Sequence, residues 1–169
     1  MNRNNQSISS HHRMTLGILC SLALCLALPL APDSAAAQTL HQKSQAALPT
    51  VEVYKSPLCG CCEGWAEHLR KSGFQVVLHN VDDVPAARAR LGMPDRYGAC
   101  HTAKVGNYLV EGHVPAADIK RMLNKHPRAI GLAVPSMPPG SPGMESDRAI
   151  PYDTLLVSTD GKATIFAHH

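Results

Sequence analysis

The chain of 169 residues has the usual length of one domain. Its 16 Lys and Arg residues only slightly outnumber its 13 Asp and Glu residues, and the formal net charge of +3 argues against a dedicated nucleic-acid-binding protein. Six cysteines and ten histidines are the unusual counts, and they direct attention to sulfur and imidazole chemistry.

The first 37 residues have the pattern of a secretory signal peptide. Arg3 and Arg13 lie in a polar stretch, an apolar run covers residues 16–31, and Ala35 and Ala37 place small side chains where a signal peptidase cleaves. The run is short for a membrane span, which needs ~20 residues, so an uncleaved anchor is the less favoured alternative. We expect cleavage after Ala37 and a mature protein without a membrane segment, outside the cytoplasm, where disulfides persist.

Residues 38–50 are polar and rich in alanine without a clear period, and we predict a flexible lead-in there. Beyond it, hydrophobic periodicity and turn residues predict alternating strands and helices. The predicted strands cover residues 51–54, 74–78, 102–105, 108–111, 154–158 and 163–167. The predicted helices cover residues 61–71, 84–91 and 115–125. Residues 131–151 contain five prolines and three glycines and are predicted to form one long irregular loop.

This order of elements predicts an α/β protein. A β-α-β unit implies parallel pairing through a right-handed crossover, and the two hairpins add antiparallel strands. We therefore expect a mixed sheet flanked by helices over residues 51–130. Residues 131–169 are expected to form a C-terminal extension, the loop and the last β-hairpin, that packs on the same domain.

Three of the four cysteines that follow the signal peptide stand between the first predicted strand and the first predicted helix: Cys59, Cys61 and Cys62. Cys59 and Cys62 have the C-x-x-C spacing that indicates a thioredoxin-like redox motif in a β-α-β context. The N-terminus of a helix stabilises a thiolate, which can attack a disulfide or bind a soft metal ion. Because Cys61 adds a third sulfur, the cluster favours Cu(I), which prefers thiolate and thioether ligands.

Two other interpretations of these sulfurs stay open. Small exported domains use cysteines in structural disulfides, which would leave a spare thiol here. Zinc sites take four thiolates, but their ligands usually come in two closely spaced pairs. The fourth cysteine of this chain, Cys100, stands alone and is followed by His101.

Further candidate ligands follow along the chain. In a thioredoxin-like fold the loop before the third predicted strand packs against the C-x-x-C turn, so Cys100 is expected beside Cys59 and Cys62. His101 is then either a metal ligand or proton donor, or an ordinary loop histidine. His113, at a strand-to-helix turn, is a further candidate metal ligand.

The long loop contains Met137 and Met144, and no helical or strand period there would bury either side chain. Methionine usually fills protein cores. Long loops in compact domains are often functional, however, so both thioethers are candidate copper ligands.

The remaining histidines are predicted to lie outside the site. His68 lies two helical turns beyond Cys61, about 10 Å along the helix, and is expected to face solvent. The terminal pair of His168 and His169 could bind a metal ion, although chain ends are usually mobile. Three more are expected on the surface: His41, His79 and His126.

These motifs, taken in order, resemble the periplasmic copper-resistance proteins of the CopG type. The resemblance rests on residues 54–62 (YKSPLCGCC), 99–102 (ACHT), 111–115 (EGHVP) and 131–145, and it extends from about Val51 to His168. It implies a thioredoxin-like domain with a C-terminal extension and copper bound by cysteines. It also implies a periplasmic role in copper resistance, with interconversion of Cu(I) and Cu(II) before export and with copper chaperones or an efflux system as partners.

Residue by residue, the resemblance assigns the C-x-C-C cysteines to Cys59, Cys61 and Cys62, and the cysteine of the Cys-His-Thr motif to Cys100. The leading hypothesis is a copper-binding protein that holds Cu(I) on these four thiolates. Bridging sulfurs and several copper ions would make a copper oxidoreductase role chemically reasonable. The alternative is a thiol–disulfide oxidoreductase with Cys59 as nucleophile and Cys62 as resolving thiol. The third hypothesis, a domain with structural disulfides and without a functional site, is the least favoured.

Overall fold

The computed structural model describes residues 47–169. The predicted signal peptide and most of the predicted lead-in lie outside the described residues. The strands are β1 (Val51–Lys55), β2 (Val76–Asn80), β3 (His101–Val105), β4 (Tyr108–Gly112), β5 (Ala129–Val134), β6 (Asp153–Ser158) and β7 (Ala163–His168). The helices are α1 (Gly60–Lys71), α2 (Val84–Leu91) and α3 (Ala116–Lys125). None of the helices among residues 47–169 is long and apolar enough to cross a lipid bilayer.

The seven strands form one sheet in the order β2-β1-β3-β4-β5-β6-β7. Strands β1 and β2 are parallel, as are β4 and β5, and the other neighbouring pairs are antiparallel. The predicted mixed sheet flanked by helices is thereby confirmed, and the architecture is thioredoxin-like. The two β-α-β crossovers are built on α1 and α3.

Helix α1 forms because its apolar residues recur at helical spacing. Cys62, Trp65, Ala66 and Leu69 are its buried residues and lie on one stripe that faces the sheet. Gly73 follows the helix with a φ of +92°, a left-handed conformation that glycine adopts readily at a helix end. The first turn of α1 is therefore fixed by burial, and the C-x-C-C segment is fixed with it.

Two apolar cores lie on opposite faces of the sheet. They separate because successive strand residues point to opposite faces, as Leu109 and Val110 do. The larger core joins α1 and α3 to the central strands through Val51, Val53, Trp65, Leu69, Ala103, Val105, Val110, Ile119, Met122, Leu132 and Val134. The smaller core contains Met93, Tyr97, Leu109, Ala133 and Val157.

The prediction of one irregular loop over residues 131–151 is wrong at its start. Strand β5 runs through Ala129–Val134 and pairs with β4, so the loop begins only after Val134. The alternation that reveals a half-buried strand is absent here because residues 131–134 are all buried. Gly131 is required in this strand, since a Cβ there would overlap the backbone of Leu109.

Candidate metal centre

Four sulfurs meet at the N-terminus of α1. The Sγ atoms of Cys59, Cys61, Cys62 and Cys100 all lie within 4.8 Å of one another. Cys59 and Cys62 form a disulfide, while Cys61 and Cys100 are free thiols. Each thiol contacts a different disulfide sulfur, with Cys61 Sγ 3.5 Å from Cys59 Sγ and Cys100 Sγ 3.4 Å from Cys62 Sγ.

Strand pairing brings Cys100 to this cluster from another part of the chain. In the antiparallel β1–β3 ladder, His101 lies opposite Lys55, the last residue of β1. Cys100 therefore precedes β3 at the same end of the sheet where the C-x-C-C segment follows β1. The predicted approach of Cys100 to Cys59 and Cys62 agrees with this geometry.

Two buried imidazoles extend the cluster on the Cys100 side. His113 Nε2 lies 3.0 Å from Cys100 Sγ, and His101 Nδ1 lies 3.4 Å from the same sulfur. The three ligand atoms lie within 4.8 Å of one another. Both histidines are fully buried, and the His101 ring packs against Trp65 with a centroid distance of 4.3 Å.

The His113 ring is oriented by the loop after β5. Its Nδ1 lies 2.8 Å from the carbonyl oxygen of Pro142, which can only accept a hydrogen bond, so Nδ1 carries the proton. In the neutral ring Nε2 is then unprotonated and presents its lone pair to Cys100 Sγ. A backbone carbonyl on the far nitrogen is the arrangement that orients metal-binding histidines.

Burial determines the protonation of the site in the metal-free state. It lowers the pKa of His101 to about 3, and it lowers the pKa of His113 from its ordinary value, so both imidazoles are neutral near pH 7. Burial, together with the neighbouring Cys61, raises the pKa of Cys100 to about 12. Cys100 is therefore a thiol, and a cation that binds its sulfur must displace the proton.

The loop that carries Met137 and Met144 lies over the first turns of α1. A Cβ at Gly64 would meet Gly143 Cα at 3.2 Å, so helix and loop are in backbone contact. Met137 is 46% exposed and Met144 is half-buried. Gly143 directly precedes Met144, and its backbone lies against the helix turn that contains Cys61.

Replacing Gly143 with alanine is expected to displace this loop. Gly143 has a φ of +82°, and an added Cβ would lie 2.6 Å from the carbonyl oxygen of Cys61. The left-handed backbone alone costs about 1–3 kcal/mol of stability, and the overlap adds to that cost. The measurement is urea unfolding of the metal-free chain. Gly73→Ala is the control, since Gly73 has a φ of +92° but open space around its Cβ position. Equal losses in the two variants would contradict a tight helix–loop contact.

Sequence reasoning missed the ion pair that holds the Cys100 segment. Arg88 of α2 donates to Glu111 Oε1 at 2.8 Å and to the carbonyl oxygen of Ala99 at 2.7 Å. Glu111 Oε1 also accepts the N–H of Ala99 at 2.8 Å, so both backbone polar groups of Ala99 are bound. Arg88 is 4% exposed and Glu111 is fully buried. The only sequence signal was an acidic residue inside a strand beside the Gly112-His113 turn.

The prediction that His68 faces solvent is wrong. His68 is half-buried, and its Nε2 accepts the N–H of Ala116 at 3.1 Å, at the first residue of α3. Two helical turns return the chain to the same side of α1, so distance along the helix axis did not predict exposure. His68 therefore satisfies one of the free N–H groups at the start of α3.

The His68 contact predicts a pH-dependent stability. Burial lowers the pKa of His68 below its ordinary value of 6.5, so between these two values the unfolded chain binds more protons than the folded chain. The stability from this group is present above the ordinary pKa and is lost as the pH falls. In urea unfolding of the metal-free chain from about pH 7.5 to about pH 5.5, His68→Gln should lose less stability than the wild type. Identical pH dependence of the two chains would contradict this role, and His126→Gln, at an exposed position, is the control.

The terminal histidines are anchored, in contrast to the expected mobile chain end. His169 Nε2 lies 2.8 Å from Asp118 Oδ2 of α3, and its ring stacks on Tyr152 at a centroid distance of 4.8 Å. His168 Nδ1 lies 2.7 Å from Asp153 Oδ1. These contacts join β7 to α3 and to the start of β6.

Two further histidines within residues 47–169, His79 and His126, lie outside the groups that could hold a metal ion. His126 is exposed, as predicted, and follows α3. His79 is half-buried because its ring stacks on Tyr54 of the neighbouring strand, at a centroid distance of 4.8 Å. His41 lies outside the described residues.

Fold and site together define a class of protein: a thioredoxin-like domain whose C-x-C-C turn and a fourth cysteine could hold a metal ion. The chain is similar to two solved structures, named "Copper resistance protein copG- Form 2" and "Copper resistance protein copG- Form 1", with TM-scores of 0.68 and 0.67. Each is 42% identical to the chain over 72% of this chain and 98% of that structure. A family model described as "Protein of unknown function, DUF411" matches residues 97–144. No curated protein matches the chain.

The chain belongs to the family of the copper resistance protein CopG. This confirms the resemblance that the cysteine, Cys-His-Thr and Gly-His motifs indicated.

Proposed function

We propose that this protein contributes to copper resistance by binding Cu(I) through the thiolates of Cys59, Cys61, Cys62 and Cys100. The observation that carries the proposal is the meeting of these four sulfurs within 4.8 Å at the N-terminus of α1. Cu(I) is a soft ion that prefers thiolate ligands, and the positive end of a helix stabilises the thiolates that such an ion needs.

The spacing of the sulfurs favours a cluster over a single ion. Sulfurs 3.4–3.5 Å apart can share metal ions, and once the Cys59–Cys62 disulfide is reduced, four bridging thiolates can hold more than one copper. His101 and His113 supply neutral nitrogens on the Cys100 side. Met137 and Met144 are proposed as further ligands from the loop above α1.

Family membership supports a place for the protein in the periplasm, after cleavage of the signal peptide at Ala37. Copper ions are then its ligands, and copper chaperones or an efflux system in that compartment are its proposed partners. A cluster that stores charge would also allow Cu(I) and Cu(II) to interconvert at the site.

The Cys59–Cys62 disulfide supports a second candidate function, thiol–disulfide exchange. Cys59 would attack a substrate disulfide, and Cys62 would resolve the mixed disulfide. An exchange enzyme has no use for Cys61 and Cys100, and both lie in contact with the exchanging pair. The copper function explains all four sulfurs and is preferred for that reason.

The test is Cu(I) binding by the chain exported to and purified from the periplasm of a bacterial host. The reduced protein is titrated without oxygen against a chromophoric Cu(I) chelator, and zinc is titrated separately. We expect tight Cu(I) binding that falls in Cys59→Ser and in Cys100→Ser, while the exposed control His126→Gln binds as the wild type does. The mass of the purified chain tests cleavage after Ala37.

Failure to compete with the chelator, together with metal-free turnover of a disulfide substrate, would assign the protein to the exchange enzymes. Preference for zinc over Cu(I) would contradict the choice of metal.

A further inference from the structure

A lysine is buried below the first turn of α1. Lys55 is the last residue of β1, is 1% exposed, and points to the same face of the sheet as Val51 and Val53 of the larger core. Its Nζ atom donates to the carbonyl oxygen of Ser56 at 3.0 Å and lies 3.1 Å from Glu63 Oε1. An apolar side chain would fill this position without the cost of removing an ammonium group from water. Packing alone therefore does not account for a lysine here.

The side chain of Lys55 lies on the side of the sheet that carries the sulfurs. In the β1–β3 ladder Lys55 is directly opposite His101, so the two side chains project from the same face. His101 Nδ1 in turn lies 3.4 Å from Cys100 Sγ. Glu63, the partner of Lys55 in the ion pair, directly follows Cys62 in the first turn of α1. The spatial neighbours of Lys55 are therefore the sequence neighbours of two sulfurs of the cluster.

The two charges of this ion pair act on their surroundings with unequal strength. The Glu63 side chain is 60% exposed, so water and salt screen its charge, while the Lys55 side chain is almost fully removed from solvent. A charge in the low-dielectric interior acts more strongly than an exposed one. The partial positive charge at the N-terminus of α1 has the same sign as Lys55 and adds to its effect. The α1 side of the sulfur cluster is therefore positively charged.

We propose that the ammonium group of Lys55 compensates the negative charge of the copper–thiolate complex and thereby strengthens the binding of the first copper ion. This inference rests on the proposed copper function and adds to it a residue that is not a ligand, since an ammonium group has no lone pair to donate. A Cu(I) ion held by two or more thiolates forms an anionic complex, because each thiolate carries one negative charge. A buried cation beside that complex stabilises it.

The experiment measures how tightly the reduced chain, purified from the periplasm, binds its first equivalent of Cu(I) against a chromophoric chelator without oxygen. Lys55→Met keeps the length of the side chain and removes its charge, and we expect the affinity to fall by ~10-fold or more. Lys55→Arg keeps the charge and should recover most of that loss. Lys104→Met is the matched control, since Lys104 lies in the neighbouring strand β3 and is exposed, and it should bind as the wild type does.

A variant of the partner residue distinguishes charge compensation from a structural role of the ion pair. Glu63→Gln keeps an oxygen that can accept from Lys55 Nζ but removes a negative charge from the surroundings of the cluster. We therefore expect it to bind the first copper at least as tightly as the wild type does. If the ion pair only joined β1 to α1, Glu63→Gln and Lys55→Met would both weaken binding, and that result would overturn the inference.

Urea unfolding of each metal-free variant shows whether the fold is kept. Should Lys55→Met fail to fold, Lys55→Gln is measured in its place with the same expected loss. If the wild type binds Cu(I) and the uncharged variant binds the first copper equally tightly, this inference fails and the proposed function stands. If the reduced wild type binds no Cu(I), the proposed function itself fails.

Discussion

Replacing Arg88 with methionine is expected to lower the free energy of unfolding by ~3–5 kcal/mol, because it leaves a buried carboxylate without its cation. Arg88 is 4% exposed, Glu111 is fully buried, and the two side chains meet at 2.8 Å. The measurement is urea unfolding of the reduced, metal-free chain, followed by circular dichroism. Arg90→Met is the matched control, since Arg90 lies on the same helix and is exposed.

The loss of stability in Arg88→Met should be smaller at low pH than at high pH. Burial raises the pKa of Glu111, so the folded chain takes up protons there more readily than the unfolded chain does. The stability from this carboxyl is therefore present at low pH and is lost as the pH rises through the raised pKa. Without Arg88 the pKa of Glu111 rises further. The loss of unfolding free energy in Arg88→Met should therefore be smaller at about pH 5 than at about pH 8.

A double variant distinguishes the effect of the two charges from the effect of the volume that the two side chains fill. Arg88→Met combined with Glu111→Leu removes both charges, and replacing a buried pair with apolar groups of similar size is often close to neutral. We expect the double variant to recover only part of the stability that Arg88→Met loses, because both backbone polar groups of Ala99 are left without partners. If Arg88→Met is as stable as Arg90→Met, the ion pair does not stabilise the fold.

Arg88→Met should also bind Cu(I) more weakly. The carbonyl oxygen of Ala99, the residue next to Cys100, loses the hydrogen bond that Arg88 donates to it.

Replacing Trp65 with alanine is the second large change, with an expected loss of ~3–5 kcal/mol. Trp65 is fully buried in the larger core, and its ring packs against His101. Removal of the ring opens a cavity beside that imidazole. We expect the variant to bind Cu(I) less tightly, as well as to unfold at lower urea concentration.

Trp65→Phe is the matched variant for this position. Phenylalanine keeps an aromatic ring against His101 but loses the Nε1–H that donates to the carbonyl oxygen of Val114 at 2.8 Å. A buried carbonyl left without a donor costs about 1–3 kcal/mol. The phenylalanine variant should therefore lie between the wild type and Trp65→Ala in urea unfolding. Stability equal to that of Trp65→Ala would assign the whole effect to the lost hydrogen bond.

Elements with local signals were predicted closely. Helix α2 has its predicted bounds because the Asp83 carboxylate accepts the N–H of Ala86 at its start and Gly92 adopts a φ of +96° at its end. The β3–β4 hairpin was predictable from its two-residue turn at Gly106-Asn107. Strand β5 was missed because burial on both faces removes the period of two on which strand prediction depends.

The candidate site was predictable as far as the fold determines it. Once a C-x-x-C turn follows β1, antiparallel pairing of β3 with β1 brings Cys100 to it. The ion pair of Arg88 and Glu111 could not be predicted, since nothing local distinguishes a buried arginine from its exposed neighbour Arg90. The ligand roles of the methionines stay predictions.

The arrival of Cys100 from a distant strand sets an order of events in folding. The C-x-C-C segment brings three sulfurs together within four residues, and it does so before any tertiary structure exists. Cys100 stands 38 residues beyond Cys62, so its approach requires closure of a long loop and pairing of β1 with β3. In a chain whose central strands are unpaired, at most three sulfurs of the site therefore lie together. The complete set of four sulfurs exists only in a chain whose central strands have folded.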